Sequence, residues 1–323
     1  MSDQVPESPQ EAKTGPDPRE KARRMLMLVA LAFGVWFILR GVTGLLVPPV
    51  PDHPVQEVRM RVIAHRGGKG EFPENTLFAF RSAVAMGVDA IEMDVHLSSD
   101  GKLVVIHDDS VFRTTSGEGP VAELSLADIQ SFDAGYWWPS GRKEDCEACL
   151  LIPDDEFPFR GRGIRVPSLE EVLAEFPDIP KIIEMKPEDP AIVNALGNLL
   201  RSYDQEESAI VASFHSANLK AFRQEFPEFA TSAGQSEVTW FYVMNLLGFG
   251  TSYPSRAEFF QVPINMGRLP VITRGFLESS GVNNVRVQAW TINDRAEMEM
   301  LLGIGVDGII TDEPALLLDV LGR

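Results

Sequence analysis

The chain has 323 residues, of which 44% are apolar, so it can form one large barrel or two ordinary domains with a sizeable core. Its 47 acidic and 29 basic residues give a net charge of −18. Phosphate-backbone binding depends on clustered lysines and arginines, so an acidic chain of this kind argues against nucleic acid as a partner.

The N-terminal region predicts a membrane anchor. Residues 1–24 are polar and are expected to be a disordered cytoplasmic segment. Residues 25–47 are apolar apart from Arg40, and their length suffices for one transmembrane helix. The basic cluster at residues 21–24 predicts a cytoplasmic N-terminus and an extracytoplasmic remainder, periplasmic in a bacterium. A cleaved signal peptide is the alternative, and the lack of a small-residue cleavage site favours an uncleaved anchor.

The rest of the chain begins with a predicted linker at residues 48–59, stiffened by four prolines, and continues as one domain over residues 60–323. In this domain, apolar strand-like runs alternate with helical stretches eight times, which predicts a (β/α)₈ TIM barrel of the α/β class. The strands are predicted at 61–65, 90–94, 181–185, 209–213, 230–234, 259–263, 285–291 and 308–311. The helices are predicted at 76–86, 168–176, 191–203, 216–225, 237–247, 271–280, 294–302 and 314–321, with Asn75-Thr76 as the first N-cap.

An extra strand at residues 103–107 follows the second barrel strand too closely for a parallel crossover, so a β-hairpin extension is expected. A turn centred on Ser99-Asp100 places Glu92 opposite His107. His96 then lies out on the hairpin, where a solvated position is expected.

Residues 110–167 interrupt the alternation and are predicted to be an insertion after the second strand, where loops shape the site of such barrels. Cys146 and Cys149, the two cysteines of the chain, lie in this insertion. A disulfide, half of a metal site and a redox pair all remain open, although no second Cys pair or nearby histidine completes a zinc site.

Five polar residues at the ends of apolar strands indicate chemistry: His65, Glu92, Asp94, His107 and Glu184. Glu92 and Asp94 are two apart on one strand, so their side chains share a face. Converging buried carboxylates need a counter-charge, and an oxygen-only set suits Ca²⁺ or Mg²⁺. The two histidines, near neutrality in pKa, can serve as an acid and a base, an assignment that the residues alone leave open.

The same blocks resemble the glycerophosphodiester phosphodiesterase family over residues 62–318. The matching motifs are His65-Arg66-Gly67-Gly68, Pro73-Glu74-Asn75-Thr76, Glu92-Met93-Asp94-Val95, His107-Asp108, Glu184-Met185-Lys186, Trp290-Thr291-Ile292-Asn293 and Asp307-Gly308-Ile309-Ile310-Thr311-Asp312. The resemblance implies a TIM barrel with an insertion at the observed place. It also implies His65 as base and His107 as acid.

Three further residues are expected to contact substrate. Arg66 and Lys186 suit a phosphodiester monoanion, although each also suits a role in neutralising the carboxylates. By the family resemblance Trp290 contacts the glycerol end, and a core tryptophan is the alternative.

Together these features predict a metal-dependent hydrolase of phospholipid and glycerol metabolism, which converts glycerophosphodiesters to glycerol 3-phosphate and an alcohol. Two alternatives remain. One is a lysophospholipase D, whose insertion would contact the acyl chain, and the other is a non-catalytic barrel that binds lipid headgroups. The sequence makes no prediction of oligomeric state.

Overall fold

The structure is a computed structural model that describes residues 18–138 and 157–323. The chain divides into two compact units, one that ends at Val47 and one that begins at Pro48. Helix α1 runs from Pro18 to Leu46 and is long and apolar enough to cross a membrane. A signal sequence near the N-terminus has the same length and apolar character. It includes residues 18–24, which the sequence predicts to be disordered. Proline is tolerated in a first turn, and the residues after it are good helix formers.

The predicted linker at residues 48–59 packs against the barrel as part of the second unit. It contains the short helix α2, Pro54–Glu57, and Val55 is fully buried. The Val50 backbone N–H donates to the Asn283 carbonyl over 2.9 Å, and the Gln56 side-chain amide donates to the Asn284 carbonyl over 2.8 Å. These contacts make the segment a plug at the amino end of the strands instead of a free tether.

Eight parallel strands form the barrel, and each overlaps a predicted strand. They are β1 Val62–Ala64, β2 Ala90–Leu97, β4 Lys181–Met185, β5 Ala209–Ala212, β6 Ala230–Thr231, β7 Phe259–Val262, β10 Arg286–Ala289 and β11 Gly308–Thr311; outside the barrel are β3 Leu103–Val105, β8 Asn265–Met266 and β9 Leu269–Pro270. The order of the barrel strands is β6-β5-β4-β2-β1-β11-β10-β7. One bridge, Ser232 to Phe259, joins the ends of this order and nearly closes the barrel.

The helices surround this sheet and bury their apolar faces on it. Each predicted barrel helix overlaps an observed one. They are α3 Leu77–Met86, α4 Leu126–Gln130, α5 Leu169–Glu175, α6 Pro190–Ser202, α7 Ser216–Glu225, α8 Gln235–Leu246, α9 Arg274–Val282, α10 Arg295–Ile304 and α11 Pro314–Val320, of which α4 lies in the insertion.

The hairpin of β2 and β3 is antiparallel as predicted, but its register differs from the prediction by one residue. Leu97 pairs with Leu103, where the sequence places it opposite Lys102. The cause is a three-residue turn in which Gly101 has a φ of +73° and the Ser98 N–H donates to the Lys102 carbonyl. Glu92 therefore does not lie opposite His107, which follows the end of β3.

The described parts of the insertion pack over this hairpin. Val111, Val121 and Ile129 form a small apolar cluster with Val104 and Ile106 of the hairpin. The insertion thus shares a small apolar core with the hairpin. Cys146 and Cys149, with the predictions made for them, lie outside the described residues.

Candidate active site

The site occupies the upper layer of the barrel interior. Ile63, Ile182 and Ile310 point into the barrel and form part of its buried apolar cluster. Because side chains alternate along a strand, the residues two positions further on face the same way. At those positions the chain has His65, Glu184 and Asp312. The apolar layer is therefore followed by a polar layer at the carboxyl ends of the strands.

Three carboxylates converge there as predicted. One oxygen each of Glu92, Asp94 and Glu184 lie within 4.8 Å of one another. Glu92 and Asp94 are buried, and Glu184 is partly exposed toward the cavity. Their oxygen-only donor set matches the preference of hard divalent cations.

The electrostatics of these carboxylates also fit a bound cation. Burial, reinforced by the neighbouring Asp94 charge, raises the pKa of Glu92 well above its usual value. Burial likewise raises the pKa of Glu184. Although burial opposes its ionisation, Arg66 and Lys186 lower the pKa of Asp94. The protein's own cations therefore compensate only part of the negative charge, and a divalent ion would complete the compensation.

Arg66 and Lys186 both contact the carboxylates. The Arg66 backbone N–H donates to Glu92 over 2.8 Å, and its Nε lies 3.3 Å from Asp94 Oδ2. Lys186 Nζ lies 3.1 Å from Glu184 Oε1 and 3.5 Å from Asp94 Oδ1. Both side chains therefore neutralise carboxylates. Both also line the central cavity, where they can contact a ligand.

His65 is held by a carboxylate. Its Nδ1 lies 2.5 Å from Asp312 Oδ1, and its Nε2 lies 3.9 Å from Glu92 Oε2. Burial lowers the pKa of His65, and the Asp312 hydrogen bond partly opposes this effect. Because a carboxylate accepts at Nδ1, the ring proton lies there, and Nε2 is left as an acceptor that faces the cavity.

Asp312 is in turn held by Asn293. The Asn293 amide donates to Asp312 Oδ2 over 2.8 Å and its oxygen accepts from the Asp312 backbone N–H over 2.9 Å. Both residues belong to the family-like motifs, but neither was predicted to belong to the site. Asp312 was detectable, because it stands two residues after the inward-facing Ile310 on β11.

His107 is likewise held by a carboxylate. Its Nδ1 lies 2.6 Å from Asp108 Oδ1, and its carbonyl accepts from His96 Nε2 over 3.0 Å. The expectation of a solvated His96 is therefore wrong. Its ring shares a face with Glu92 and Asp94 and is buried beneath the chain that continues from β3.

Arg113 of the insertion connects the two sides. It donates to Asp108 over 2.6 Å and, through two nitrogens, to Glu74 over 2.8 and 2.9 Å. Glu74 also accepts from Arg66 over 2.9 Å. Burial opposes ionisation of Glu74, but the two arginines lower its pKa to about 2. This network joins Asp108, the partner of His107, to Arg66. No strand periodicity indicated it, because its members lie outside the strands.

The two residues of the predicted cap, Asn75 and Thr76, have different functions. Thr76 Oγ1 accepts from the Ala79 backbone N–H and caps α3. Asn75 instead has a φ of +55° and its amide donates to Asp94 Oδ2 over 3.0 Å. Asn75 therefore orients a member of the carboxylate cluster.

The carboxylates and both histidines line one cavity of about 550 Å³. Trp290 lines it too, and its ring packs edge to face on Phe214 with centroids 6.0 Å apart. Trp290 is only partly buried, so the structure favours a wall residue over a core tryptophan. The cavity thus contains two candidate proton-transfer groups, a cation-compatible cluster and an aromatic wall.

Comparison with known proteins agrees with this geometry. A sequence model of the Glycerophosphoryl diester phosphodiesterase family matches residues 65–316. The glycerophosphodiester phosphodiesterase of Caldanaerobacter subterraneus is 31% identical over 81% of this chain and 98% of its own. The mouse lysophospholipase D GDPD1 is 25% identical over 83% and 88%. The crystal structure of an Agrobacterium tumefaciens glycerophosphodiester phosphodiesterase is 27% identical, covers 82% of this chain and 100% of its own, and gives a TM-score of 0.63.

Proposed function

The chain belongs to the glycerophosphoryl diester phosphodiesterase family, and we propose that it hydrolyses glycerophosphodiesters to glycerol 3-phosphate and an alcohol. The observation that carries this proposal is the pair His65 and His107, each oriented by a carboxylate at Nδ1 and each lining the cavity of the acidic cluster. Two oriented imidazoles on one cavity are suited to take a proton from a nucleophile and give one to a leaving group.

Glu92, Asp94 and Glu184 would hold the divalent cation, with Ca²⁺ or Mg²⁺ as the matching ions. Such a cation, when bound, supplies a Lewis acid for the phosphate oxygens. Asn75 fixes the position of Asp94, and the Arg66 backbone N–H fixes that of Glu92. The support for this assignment is the convergence of the three oxygens and the incomplete compensation of their charge.

His65 would act as the base. Asp312 keeps a proton on Nδ1, so Nε2 accepts a proton from the attacking oxygen, which is water or a hydroxyl of the substrate's glycerol. As that oxygen bonds to phosphorus, the bond from phosphorus to the alcohol oxygen breaks, and His107 would protonate the departing alkoxide. Where the attacking oxygen is the glycerol hydroxyl, the product of this step is a cyclic glycerol phosphate, which water then opens to glycerol 3-phosphate. Asp108 Oδ1, which lies 2.6 Å from His107 Nδ1, would orient this ring.

Arg66, Lys186 and Trp290 are proposed to bind the substrate. Lys186 reaches from the carboxylates toward the aromatic wall, with Nζ 5.9 Å from the Phe214 ring centre. A phosphate bound between Lys186 and Arg66 would place the glycerol against Trp290. The charge that develops on the phosphate oxygens then meets two fixed cations.

A lysophospholipase D activity is the second candidate, favoured by the apolar part of the cavity wall around Phe214, Val238 and Met266. The non-catalytic alternative has less support, because the proposed acid, base and metal ligands all line one cavity.

The proposed location is a single-pass membrane protein with an inside N-terminus and an outside barrel, supported by helix α1 and the basic residues Arg23 and Arg24 before its apolar stretch. Protease added to intact cells, or to spheroplasts where an outer envelope blocks access, should digest the barrel. Protection of the barrel from the protease would show the opposite orientation. A mature chain that begins near Val50 would show that the helix is cleaved off.

The hydrolysis is tested with the full chain in lipid nanodiscs and glycerophosphocholine as substrate, followed by ³¹P NMR. We expect glycerol 3-phosphate and choline in the presence of Ca²⁺ or Mg²⁺. The control is the same protein with both His65 and His107 replaced by alanine. Release of phosphocholine and glycerol, or no turnover with either ion, would contradict the proposal.

A further inference from the structure

Helix α8 differs from other barrel helices in the residues that it exposes. The exposed residues of α6, α7 and α10 include arginines, lysines or glutamates, as is usual for a helix that faces water. In α8, which the structure describes throughout, none of the exposed residues is charged. Trp240 is 65% exposed and Leu246 is 67% exposed, and Val243 lies between them on the same side of the helix. The outer side of α8 is therefore apolar.

The hairpin of β8 and β9 extends this apolar side toward the mouth of the barrel. Met266 pairs with Leu269 across the hairpin, so the two side chains share one face, and each is about half exposed. Met266 also lines the central cavity beside Thr239, the residue before Trp240. We call the five exposed apolar residues of α8 and the hairpin, which are Trp240, Val243, Leu246, Met266 and Leu269, the apolar face.

Hydrogen bonds place the other end of the apolar face beside the point where the chain enters the barrel. Asn245, the neighbour of Leu246, accepts from Ser279 Oγ of α9 over 2.7 Å. One turn later, the Asn283 carbonyl accepts from the Val50 backbone N–H over 2.9 Å. Val50 is the fourth residue after the end of α1. The apolar face thus begins at the edge of the barrel that receives the chain from α1.

This short connection limits the distance from the barrel edge to a membrane. With α1 across the bilayer, as proposed above, Val50 lies no more than about 14 Å from the membrane surface, because an extended chain spans at most about 3.5 Å per residue. The exposed tryptophan and aliphatic side chains belong to this edge. Tryptophan is enriched at membrane–water interfaces, where its ring is buried and its N–H is hydrated.

The charge around the apolar face also suits a phospholipid surface. The whole chain has a net charge of −18, but residues 239–283 contain three arginines and two glutamates, a net charge of +1. Arg256, Arg268 and Arg274 are all exposed, and Arg268 lies at the tip of the hairpin. Glu237, one turn before the apolar face, is paired with Arg223. Arginines beside exposed apolar side chains can contact lipid phosphates while the apolar groups insert.

We propose that the apolar face inserts into the interfacial layer of a phospholipid bilayer, so that the barrel docks on the same membrane that α1 crosses. This inference rests on the proposed location and adds a second membrane contact to it. Removal of the apolar side chains from water drives the docking. Because α1 holds the barrel near the bilayer, docking is an intramolecular step and needs little affinity of its own.

Quenching of tryptophan fluorescence by lipid provides the first test. The full chain with Trp36→Phe, which removes the tryptophan of α1, is placed in phosphatidylcholine nanodiscs whose acyl chains are brominated. Four tryptophans remain, of which Trp240 belongs to the apolar face, so roughly a quarter of the emission should be lost relative to unbrominated discs. The further substitution Trp240→Phe should abolish this quenching.

A charge on the apolar face provides the second test. In the Trp36→Phe background, Leu246→Glu should lower the ratio of docked to undocked barrel by at least about tenfold, which removes most of the quenching. The matched control is Met300→Glu, at an exposed apolar residue of α10 outside the apolar face, and it should leave the quenching unchanged. Leu246→Gln serves if the charged variant folds poorly, as judged by circular dichroism.

The outcomes separate docking from the proposed location. Equal emission in brominated and unbrominated discs, with the chain still bound to the discs in size-exclusion chromatography, would overturn the docking and leave the location intact. Failure of the chain to stay with the discs would remove both. Quenching that persists in Leu246→Glu and Leu246→Gln would also overturn the docking. So would two chains per disc in the parent and one in Leu246→Glu, measured by mass photometry, because the apolar face would then join two copies of this chain.

Discussion

The two ends of the barrel treat buried charge in opposite ways. At the amino end, Lys181 is fully buried, and its Nζ donates to the Ile179 carbonyl over 2.6 Å and to Gln205 Oε1 over 2.8 Å. At the carboxyl end, Glu92 and Asp94 are buried beside each other. Burial lowers the pKa of Lys181 to about 8 and raises that of Glu92.

The difference shows which charges serve the fold. Lys181 donates to neutral acceptors, and the nearby Asp178 charge also favours its ammonium form, so its environment is complete without a ligand. The carboxylates at the other end repel one another, and Arg66 and Lys186 offset only part of that repulsion, so a bound cation would stabilise the group. Unfavourable groupings of this kind are characteristic of functional sites.

The largest expected effect comes from removal of a carboxylate. Glu92→Gln and Asp94→Asn should each lower kcat/KM for glycerophosphocholine by at least about 10³-fold, because even residues that only support a metal ligand contribute 10–100-fold. Steady-state kinetics measure this effect. Glu188→Gln, at an exposed carboxylate near the same end of the barrel, is the control and should retain activity.

The stability of Glu92→Gln tests whether this carboxylate contributes to the fold. A raised folded-state pKa means that Glu92 stabilises the fold when protonated, below its unfolded pKa, and that this contribution is lost as the pH rises through the folded pKa. At neutral pH and without metal, Glu92→Gln should therefore unfold at a higher temperature than the parent in calorimetry. A lower unfolding temperature would mean that the carboxylate contributes to the fold.

The next effect comes from the histidines. His65→Ala and His107→Ala should each lower kcat by about 10²–10⁴-fold. A substrate with p-nitrophenol as the leaving alcohol should partly rescue only the His107 variant, because its alkoxide departs without a proton. Equal rescue of both variants, or of neither, would show that the acid and base roles are wrongly assigned.

A smaller effect is expected from Arg113, which positions other groups. Arg113→Lys removes the guanidinium that donates to both Asp108 and Glu74. The substitution should lower kcat by about tenfold and shift the pH profile of kcat. The pH profile separates positioning of His107 from simple loss of stability. Arg165→Lys, which alters a surface ion pair with Glu171, is the control. An unshifted profile in Arg113→Lys would remove the positioning role.

The sequence predicted the barrel well, because its signal is local. Strands such as β4 are apolar runs with a polar residue at the end, and a period of two places Glu92 and Asp94 on one face. The contacts that orient these groups were not predicted. Asn75, Glu74 and Arg113 act from loops, whose side-chain directions follow no period. The hairpin register also depended on one glycine with a positive φ, Gly101.

The smallest effect on activity is expected at the amino end. The lowered pKa of Lys181 means that the unfolded chain binds more protons between pH 8 and pH 10.5, so the free energy of unfolding should rise across that range by about 3 kcal/mol. Lys181→Met should abolish this rise in urea titrations and leave kcat unchanged. A rise that persists in the variant would place its origin elsewhere.

We infer that the carboxyl end of the barrel needs a cation to act on a phosphodiester. The most direct measurement is glycerophosphocholine turnover by the full chain after EDTA treatment and dialysis, with metal content followed by mass spectrometry. We expect turnover to disappear with the metal and to return on addition of Ca²⁺ or Mg²⁺ to the parent chain but not to Asp94→Asn. Full turnover by protein shown to be metal-free would contradict the claim.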